Sequence, residues 1–193
     1  MTIIDYDKVL DIFIHNLIPE TTMAVGKGNK IFGAFIIKKS DLSLLVTGTN
    51  NEITNPLYHG EISALFNFFG TKKLNPNDYY FISSHEPCSL CLSAITWSGF
   101  DNFYYFFPYA DTKSNFNIPH DLSILKEVFH INEGKYQKEN KYWQSFSIID
   151  EIKDNKDLNN HIFIEKIEKI KLLYEELSVE YQNTKVSNNI PLK

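Results

Sequence analysis

The sequence predicts an α/β protein whose sheet is antiparallel at one end, parallel at the other and covered by helices on both faces. Two observations support this fold class: an early pair of strand-like runs at hairpin spacing, and later strands that alternate with helical segments. Such alternation needs crossover connections, which make successive strands parallel and place helices on the faces of the sheet. A chain of 193 residues, 43% of them hydrophobic, is long enough to bury the core of such a fold.

The first predicted elements are a helix and a hairpin. Ile4–Ile18 has apolar residues at helical spacing, and the turn-forming segment Gly26–Asn29 follows it. Two strand-like runs, Ile31–Ile37 and Ser43–Thr47, are separated by the short segment 38–42. This separation is typical of an antiparallel strand pair.

Helices and strands alternate in the middle of the chain. His59–Phe69 and Cys88–Ser98 have the spacing of helices, and Tyr79–Ser83 is predicted to be the third strand. The aromatic run Phe103–Phe107 predicts a fourth strand that is buried on both faces and forms core. Lys126–Ile131 is the candidate for a fifth strand.

The last third of the chain follows a different pattern. Leu158–Tyr181 carries apolar residues along one face and Lys and Glu on the other, which predicts a long helix packed through its apolar face. We therefore predict a main domain, residues 1–131, and a C-terminal helical extension, residues 132–193, packed on the same domain. Asn183–Lys193 is expected to be a mobile or partner-docked tail.

Composition and charge narrow the classes of function. All 19 basic residues are Lys and the net charge is -5, so the chain lacks the Arg side chains that usually clamp phosphates, and a nucleic-acid partner is not expected. No run approaches the ~18 apolar residues of a membrane helix. Met1–Tyr6 has no pattern of a secretory signal. We expect a soluble cytoplasmic protein without a membrane partner.

Two short motifs carry the candidate chemistry. An H-x-E motif runs from His59 to Glu61, and a P-C-x-x-C motif contains Cys88 and Cys91, the only cysteines. Each motif lies where a loop or strand leads into a predicted helix, and a helix N-terminus favours the thiolate form of cysteine. One imidazole and two thiolates leave the fourth position of a tetrahedral zinc open for water, the arrangement of a catalytic site. Glu61 is close enough to reach that water.

Other interpretations of the two cysteines stay open at this point. A C-x-x-C motif also occurs in redox dithiols, and two buried cysteines can be purely structural. The remaining histidines are not spaced to complete a closed zinc site. The combination of the two motifs at predicted helix starts favours the catalytic zinc.

H-x-E followed by P-C-x-x-C is the zinc deaminase signature, and over Tyr6–Ile131 the chain resembles the cytidine deaminase-like superfamily. The resemblance implies a three-layer α/β/α fold with a five-stranded mixed sheet. It also implies that zinc is the cofactor, held by His59, Cys88 and Cys91, and that Glu61 is the catalytic proton shuttle. Members of this superfamily are commonly dimers or tetramers, so a homodimer is expected.

The implied activity is hydrolytic deamination of a small nucleobase or nucleoside of the cytosine or guanine type. Hydroxide generated at zinc would attack the amine-bearing ring carbon, with Glu61 moving the proton. The run His59–Ser63 is similar to free cytosine deaminases. In contrast, Glu86–Cys88 and Ala94–Trp97 look more like bacterial guanine deaminases and partly like tRNA adenosine deaminases. By the same resemblance, Asn50 at the end of the second strand is the candidate for binding the base.

Several alternatives accompany this assignment. Asn51 is a second candidate for the base, because the loop before the H-x-E motif is about two residues shorter than in relatives. Trp97 is expected in the core more than in the pocket, and Asp111 follows the fourth strand, where guanine deaminases place a further acidic residue. The alternative functions are a tRNA-specific adenosine deaminase and a non-catalytic zinc-stabilised module. The presence of Glu61 counts against the latter, because a structural site does not need a proton shuttle.

Overall fold

The computed structural model describes residues 4–70, 73–156, 158 and 160–193. Residues 1–3 of the segment predicted to lack a secretory signal lie outside the described residues. So does Asn159, at the start of the predicted helix Leu158–Tyr181.

The strands form one mixed sheet. They are β1 (Gly33–Lys38), β2 (Leu44–Thr49), β3 (Tyr79–His85), β4 (Asn102–Phe107) and β5 (Gln144–Ser147). Their order in the five-stranded sheet is β2-β1-β3-β4-β5. Strand β1 pairs antiparallel with β2 and β3, whereas β3–β4 and β4–β5 are parallel pairs. The predicted hairpin and the predicted mixed sheet are confirmed.

The helices cover both faces of this sheet. Those of the described residues are α1 (Tyr6–Ile12), α2 (Ile18–Val25), α3 (Gly60–Phe69), α4 (Ser89–Trp97), α5 (Tyr109–Ser114), α6 (His120–Phe129), α7 (Ile148–Asp154) and α8 (His161–Thr184). A π-helical segment, Phe13–Leu17, joins α1 to α2, so the first helix continues beyond its predicted end. Pro19, which has no N–H to donate, lies directly after this π-helical segment, where the regular hydrogen-bond pattern of the α-helix is already interrupted.

Successive residues of the central strands point into two different cores. In β3, Tyr80 and Ile82 belong to a core shared with α1, α2 and α8, whereas Tyr79 and Phe81 belong to a core shared with α3 and α4. Because successive side chains of a strand face opposite sides, the helices form two layers around the sheet. Every residue of β4 is buried, which confirms that its aromatic run is core.

The prediction of the fifth strand at Lys126–Ile131 is wrong. Residues 126–129 belong to α6, and His130, with a φ of 56°, ends that helix. Leu122 and Leu125 lie one helical turn apart, and this spacing places the following residues in the same helix. The fifth strand is β5, so the segment 132–193 contributes to the sheet as well as to the helices.

The long C-terminal helix is confirmed. It is α8, and its buried residues include the six apolar residues of the predicted face: Phe163, Ile167, Ile170, Tyr174, Leu177 and Tyr181. Among the described residues, none of the helices combines the length and the apolar character needed to cross a membrane.

The segment after α8 contacts its own chain, and its predicted mobility or docking on a partner stays a prediction. The side-chain amide of Asn188 donates a hydrogen bond to the carbonyl oxygen of Gly28 at 2.9 Å. Ile190 is only 2% exposed. His120 Nε2 also lies 2.8 Å from the carbonyl oxygen of Lys193. None of these contacts follows a pattern that is visible in the sequence.

Candidate active site

The starts of α3 and α4 bring the three predicted metal ligands together. His59 and Cys88 are the N-cap residues of these helices, and Cys91 lies in the first turn of α4. His59 Nδ1 lies 3.4 Å from Cys88 Sγ and 3.7 Å from Cys91 Sγ. The three ligand atoms all lie within 4.8 Å of one another.

The start of α3 is fixed by an unusually close contact with β1. A Cβ atom at Gly60 would lie 2.5 Å from the Cα of Gly33, so only glycine allows this approach. The Gly60 N–H donates a hydrogen bond to Asn50 Oδ1 at 2.6 Å. These two contacts fix the backbone immediately after His59.

Glu61 lies beside the ligands and is 4% exposed. Its Oε1 accepts a hydrogen bond from Ser83 Oγ at 3.0 Å, and its Oε2 accepts one from Cys91 Sγ at 3.2 Å. Burial raises the pKa of Glu61, and the negative charge of Cys88 raises it further. A carboxyl group with a raised pKa can take up and return a proton near neutral pH.

The electrostatics of the site favour a bound cation. Burial by itself would lower the pKa of His59, but the hydrogen bond and negative charge of Cys88 raise it to about 9, with Glu61 and Glu52 contributing. A hydrogen bond from Cys91 lowers the pKa of Cys88, whereas burial raises that of Cys91. The imidazole and the two sulfurs are the donor set that zinc prefers, and the site fits zinc.

A cavity of about 320 Å³ opens onto this centre. His59 and Cys88 line it, together with Ile118, Asp121 and Ile190 of the C-terminal segment. A smaller recess, lined by residues that include Glu61 and Asp121, adjoins the same ligands. The volume lies at the lower end of the range for small-molecule sites.

Asp121, in the first turn of α6, is a site residue that sequence reasoning misses. It lines both the cavity and the recess, and no hydrogen bond of its carboxylate is found among the described residues. Burial raises the pKa of Asp121 well above its usual range, and the charges of Cys88 and Glu61 add to this. Asp121 belongs to no motif. The sequence predicts a strand from Lys126 and no helix that begins near Asp121, so nothing in it indicates that this residue lies at the site.

Asn50 is close to the centre but does not line the cavity or the recess. Its Nδ2 donates a hydrogen bond to Glu52 Oε2 at 2.8 Å, and its Oδ1 accepts one from Gly60 N. The prediction that Asn50 binds the base stays untested. Asn51 lines a different cavity, next to Tyr58 and β2.

Two further candidates lie away from the site. Trp97 is 91% exposed at the end of α4, so its predicted place in the core is wrong. The inward face of this helix is occupied by Cys91 and Ile95, which leaves Trp97 on the outer face. Asp111 lies in α5 and does not line the cavity, where Asp121 provides the acidic group instead.

Fold and site together define a class of protein. An open His/Cys/Cys zinc site with a buried carboxylate, formed by two helix starts against a mixed sheet, is typical of zinc-dependent deaminases. A family model described as "Cytidine and deoxycytidylate deaminase zinc-binding region" matches residues 9–107, just over half of the 193-residue chain. The chain belongs to this family.

Individual relatives act on different substrates. A tRNA-specific adenosine deaminase from Rickettsia typhi is 32% identical over 91 residues, which are 45% of this chain and 60% of that relative. The chain therefore spans less than two thirds of that relative's length.

Solved structures share the fold at low identity. A guanine deaminase from Nitrosomonas europaea superimposes with a TM-score of 0.54 at 16% identity, covering 84% of this chain and 81% of that one. A guanine deaminase from Bacillus subtilis gives a TM-score of 0.50 at 23% identity, covering 68% and 86%. At these identities the likeness supports the fold, which agrees with the three-layer prediction.

Proposed function

We propose that this protein is a zinc-dependent hydrolytic deaminase of a small nucleobase or nucleoside, of the guanine or cytosine type. The observation that carries the proposal is the buried carboxylate of Glu61, 3.2 Å from the sulfur of Cys91 and next to the cavity. A structural zinc site does not need such a group, whereas hydrolytic deamination needs a residue that takes up a proton and returns it.

The contacts at the site suggest a role for each of its residues in this reaction. Zinc, when bound by His59, Cys88 and Cys91, supplies an activated water at its open position. Glu61 would accept one proton from that water and pass it to the ring nitrogen of the substrate. It would then accept the proton of the hydroxyl group added to the ring carbon and pass it to the amine, which leaves as ammonia while the carbonyl forms. Ser83 donates its hydroxyl to Glu61 Oε1 and so keeps the other oxygen directed toward the reacting groups.

The cavity favours a ring that carries N–H donors. Asp121 offers its carboxylate to the cavity, and apolar residues such as Ile118 and Ile190 line the walls. The carboxyl oxygens of Asp121 can accept hydrogen bonds from the N–H edge of guanine, and the largely apolar lining suits a ring better than a phosphate. A free base or nucleoside is therefore proposed over a nucleotide, and guanine is the first candidate.

The test is an ammonia-release screen with the zinc-loaded protein on cytosine, guanine, adenine, isocytosine, pterins and the corresponding nucleosides. We expect turnover of at least one of these rings. Glu61→Gln is the matched control: it should keep zinc and fold and lose activity by a factor of roughly 10² to 10⁴, because the proton shuttle is missing. Substantial activity in Glu61→Gln, or no turnover across the panel, would contradict the proposal.

A tRNA adenosine deaminase is the second candidate, favoured by the 32% identity to the Rickettsia typhi enzyme. Against it stand the net charge of -5 and the absence of Arg. Binding of a tRNA anticodon stem-loop, measured at increasing salt, separates the two: phosphate contacts give a steep loss of affinity with salt. Weak binding without that dependence favours the small substrate.

Three further features remain proposals. A homodimer and a cytoplasmic location are expected of the deaminase, and residues 1–131 are proposed as the deaminase domain with 132–193 packed on it. Because β5 comes from the second part, we expect the sheet to need both parts to fold.

A further inference from the structure

Lys30 and Glu52 form a buried ion pair next to the metal centre. Lys30 Nζ lies 2.7 Å from Glu52 Oε1, and the two side chains are 7% and 2% exposed. Burying two charges costs free energy that their mutual attraction often fails to recover, so such a pair is weak evidence for a purely stabilising role. The group that faces the pair suggests another reason for it.

That group is the imidazole of His59. Glu52 Oε1 lies 3.8 Å from His59 Nε2, on the side of the ring opposite the cysteines. The other ring nitrogen, Nδ1, faces Cys88 Sγ at 3.4 Å. A neutral histidine that binds zinc through Nδ1 carries its proton on Nε2, and a carboxylate facing Nε2 favours that tautomer.

The loop that carries Glu52 is fixed on both sides of it. The N–H of Asn51 donates to the carbonyl oxygen of Tyr58 at 2.8 Å, and the N–H of Ile53 donates to Asn29 Oδ1 at 3.0 Å. These bonds close a short loop and direct the side chain of Glu52 inward, where it is 2% exposed. The position of the carboxylate is therefore set by the backbone.

Asn50 connects the same carboxylate to α3. Its Nδ2 donates to Glu52 Oε2 at 2.8 Å, and its Oδ1 accepts from Gly60 N at 2.6 Å. In the sequence, His59 lies between Glu52 and Gly60, the two residues to which the Asn50 side chain is hydrogen-bonded. Lys30, Glu52 and Asn50 thus form a continuous chain of polar contacts that ends at the backbone next to the metal ligand.

We propose that Glu52 is a positioning residue for the zinc ligand His59, whose imidazole it orients with Nδ1 toward the two cysteines, and that Lys30 holds Glu52 in place. The inference concerns the zinc site on which the proposed function rests. It does not depend on which substrate is deaminated.

The test measures zinc affinity of the full chain by competition with a chelator, in the absence of substrate. Glu52→Gln is expected to bind zinc about 10- to 100-fold more weakly, the usual cost of losing the partner of a metal-bound histidine. The absorption bands of the cobalt-substituted protein should shift in the same variant, because the orientation of one ligand has changed.

A double variant separates positioning from simple stabilisation. Glu52→Gln alone leaves Lys30 buried without its partner, and this can destabilise the fold. Lys30→Met combined with Glu52→Gln removes both charges, so it should recover stability to urea and still bind zinc weakly. Zinc affinity equal to that of the wild type in the folded double variant would overturn the proposal.

Asp101→Asn is the matched control. It removes the carboxylate from the Lys39–Asp101 pair, with Nζ and Oδ1 2.8 Å apart, and neither residue lines the cavity at the metal centre. Its zinc affinity should equal that of the wild type. Because no substrate is present, failure of the ammonia-release screen would leave this result unaffected, and the two proposals can fail separately.

Discussion

The fold constrains the protonation state of His85 by enclosing the imidazole in aromatic rings. The centroids of Phe32, Phe107, Phe116 and Tyr174 lie 4.7 to 5.3 Å from that of His85. Its Nδ1 is 2.9 Å from the hydroxyl of the preceding serine, whereas its buried Nε2 has no hydrogen-bond partner among the described residues. Burial lowers the pKa of His85 to about 3, so the ring is neutral in the folded protein at neutral pH.

This burial predicts that the protein loses stability in mild acid. Between the ordinary pKa of 6.5 and the folded value of about 3, the unfolded chain binds one more proton, so stability is complete above pH 6.5 and falls as the pH decreases toward 3. At pH 5 the loss from His85 is about 2 kcal/mol. Urea unfolding at pH 7 and pH 5 should show a smaller loss in His85→Phe than in the wild type.

Both proteins are compared free of zinc, with a chelator present, so that release of the metal in acid does not enter the comparison. An equal loss of stability in the wild type and in His85→Phe would contradict the neutral, buried state of this side chain.

At the scale of single residues, the sequence predicts those that belong to a motif. His59, Cys88 and Cys91 could be assigned because ligand spacing at helix starts restricts the geometry. Glu52 and Asp121 could not be assigned from the sequence. Glu52 lies near the metal centre because of the path of a short loop, and Asp121 lies there because of the way α6 packs. Neither contact leaves a periodic pattern in the sequence.

At the scale of elements, the contact between α3 and β1 determines where the metal ligand sits. The substitution Gly60→Ala adds a Cβ atom that would lie 2.5 Å from the Cα of Gly33. Because the neighbour is backbone, helix and strand must separate, and we expect a loss of roughly 1–3 kcal/mol in unfolding free energy, as for overpacked cores. Zinc affinity should fall with it, since His59 directly precedes this residue.

Gly26→Ala serves as the control for that change. Gly26 ends α2 with a φ of -59°, and the nearest atom to its Cβ position is 3.5 Å away. Urea unfolding should show this variant to be as stable as the wild type or slightly more so. If both substitutions had the same effect, the close helix–strand contact would not be the cause.

The sequence predicts the elements whose apolar residues recur at a regular spacing, and it does not predict those without such a spacing. The six-residue apolar face of α8 follows directly from its helical spacing. In contrast, β5 is a four-residue edge strand, Gln144–Ser147, with a single large apolar residue, Phe146, which stacks on Tyr104 at 4.8 Å. It is a strand because it pairs with β4, and its own composition does not predict this.

At the scale of the whole molecule, the last third of the chain is part of both the fold and the site. It provides β5 and α8, and Lys138 forms an ion pair with Glu86, directly before the P-C-x-x-C motif. Lys138 Nζ also lies 4.4 Å from the ring centroid of Tyr136. The extension therefore supports the segment that leads into α4, the helix at whose start the two cysteines lie.

The segment after α8 adds a wall to the cavity, and its removal should change substrate binding. Ile190 and Leu192 line the cavity that opens onto His59, whereas Val186, nearer the end of α8, is 82% exposed. Deleting residues 188–193 should raise KM by roughly tenfold, equivalent to about 1.4 kcal/mol of lost apolar contact, with a smaller effect on kcat. Zinc affinity should not change, because the segment contains none of the three metal ligands.

Point variants make the same test without shortening the chain. Ile190→Ala should raise KM in the same direction as the deletion, and Val186→Ala should leave it unchanged, since only the first side chain lines the cavity. The measurements are steady-state ammonia release on the substrate found in the screen and chelator competition for zinc. A KM equal to that of the full chain in both the deletion and Ile190→Ala would mean that the segment does not contact the substrate.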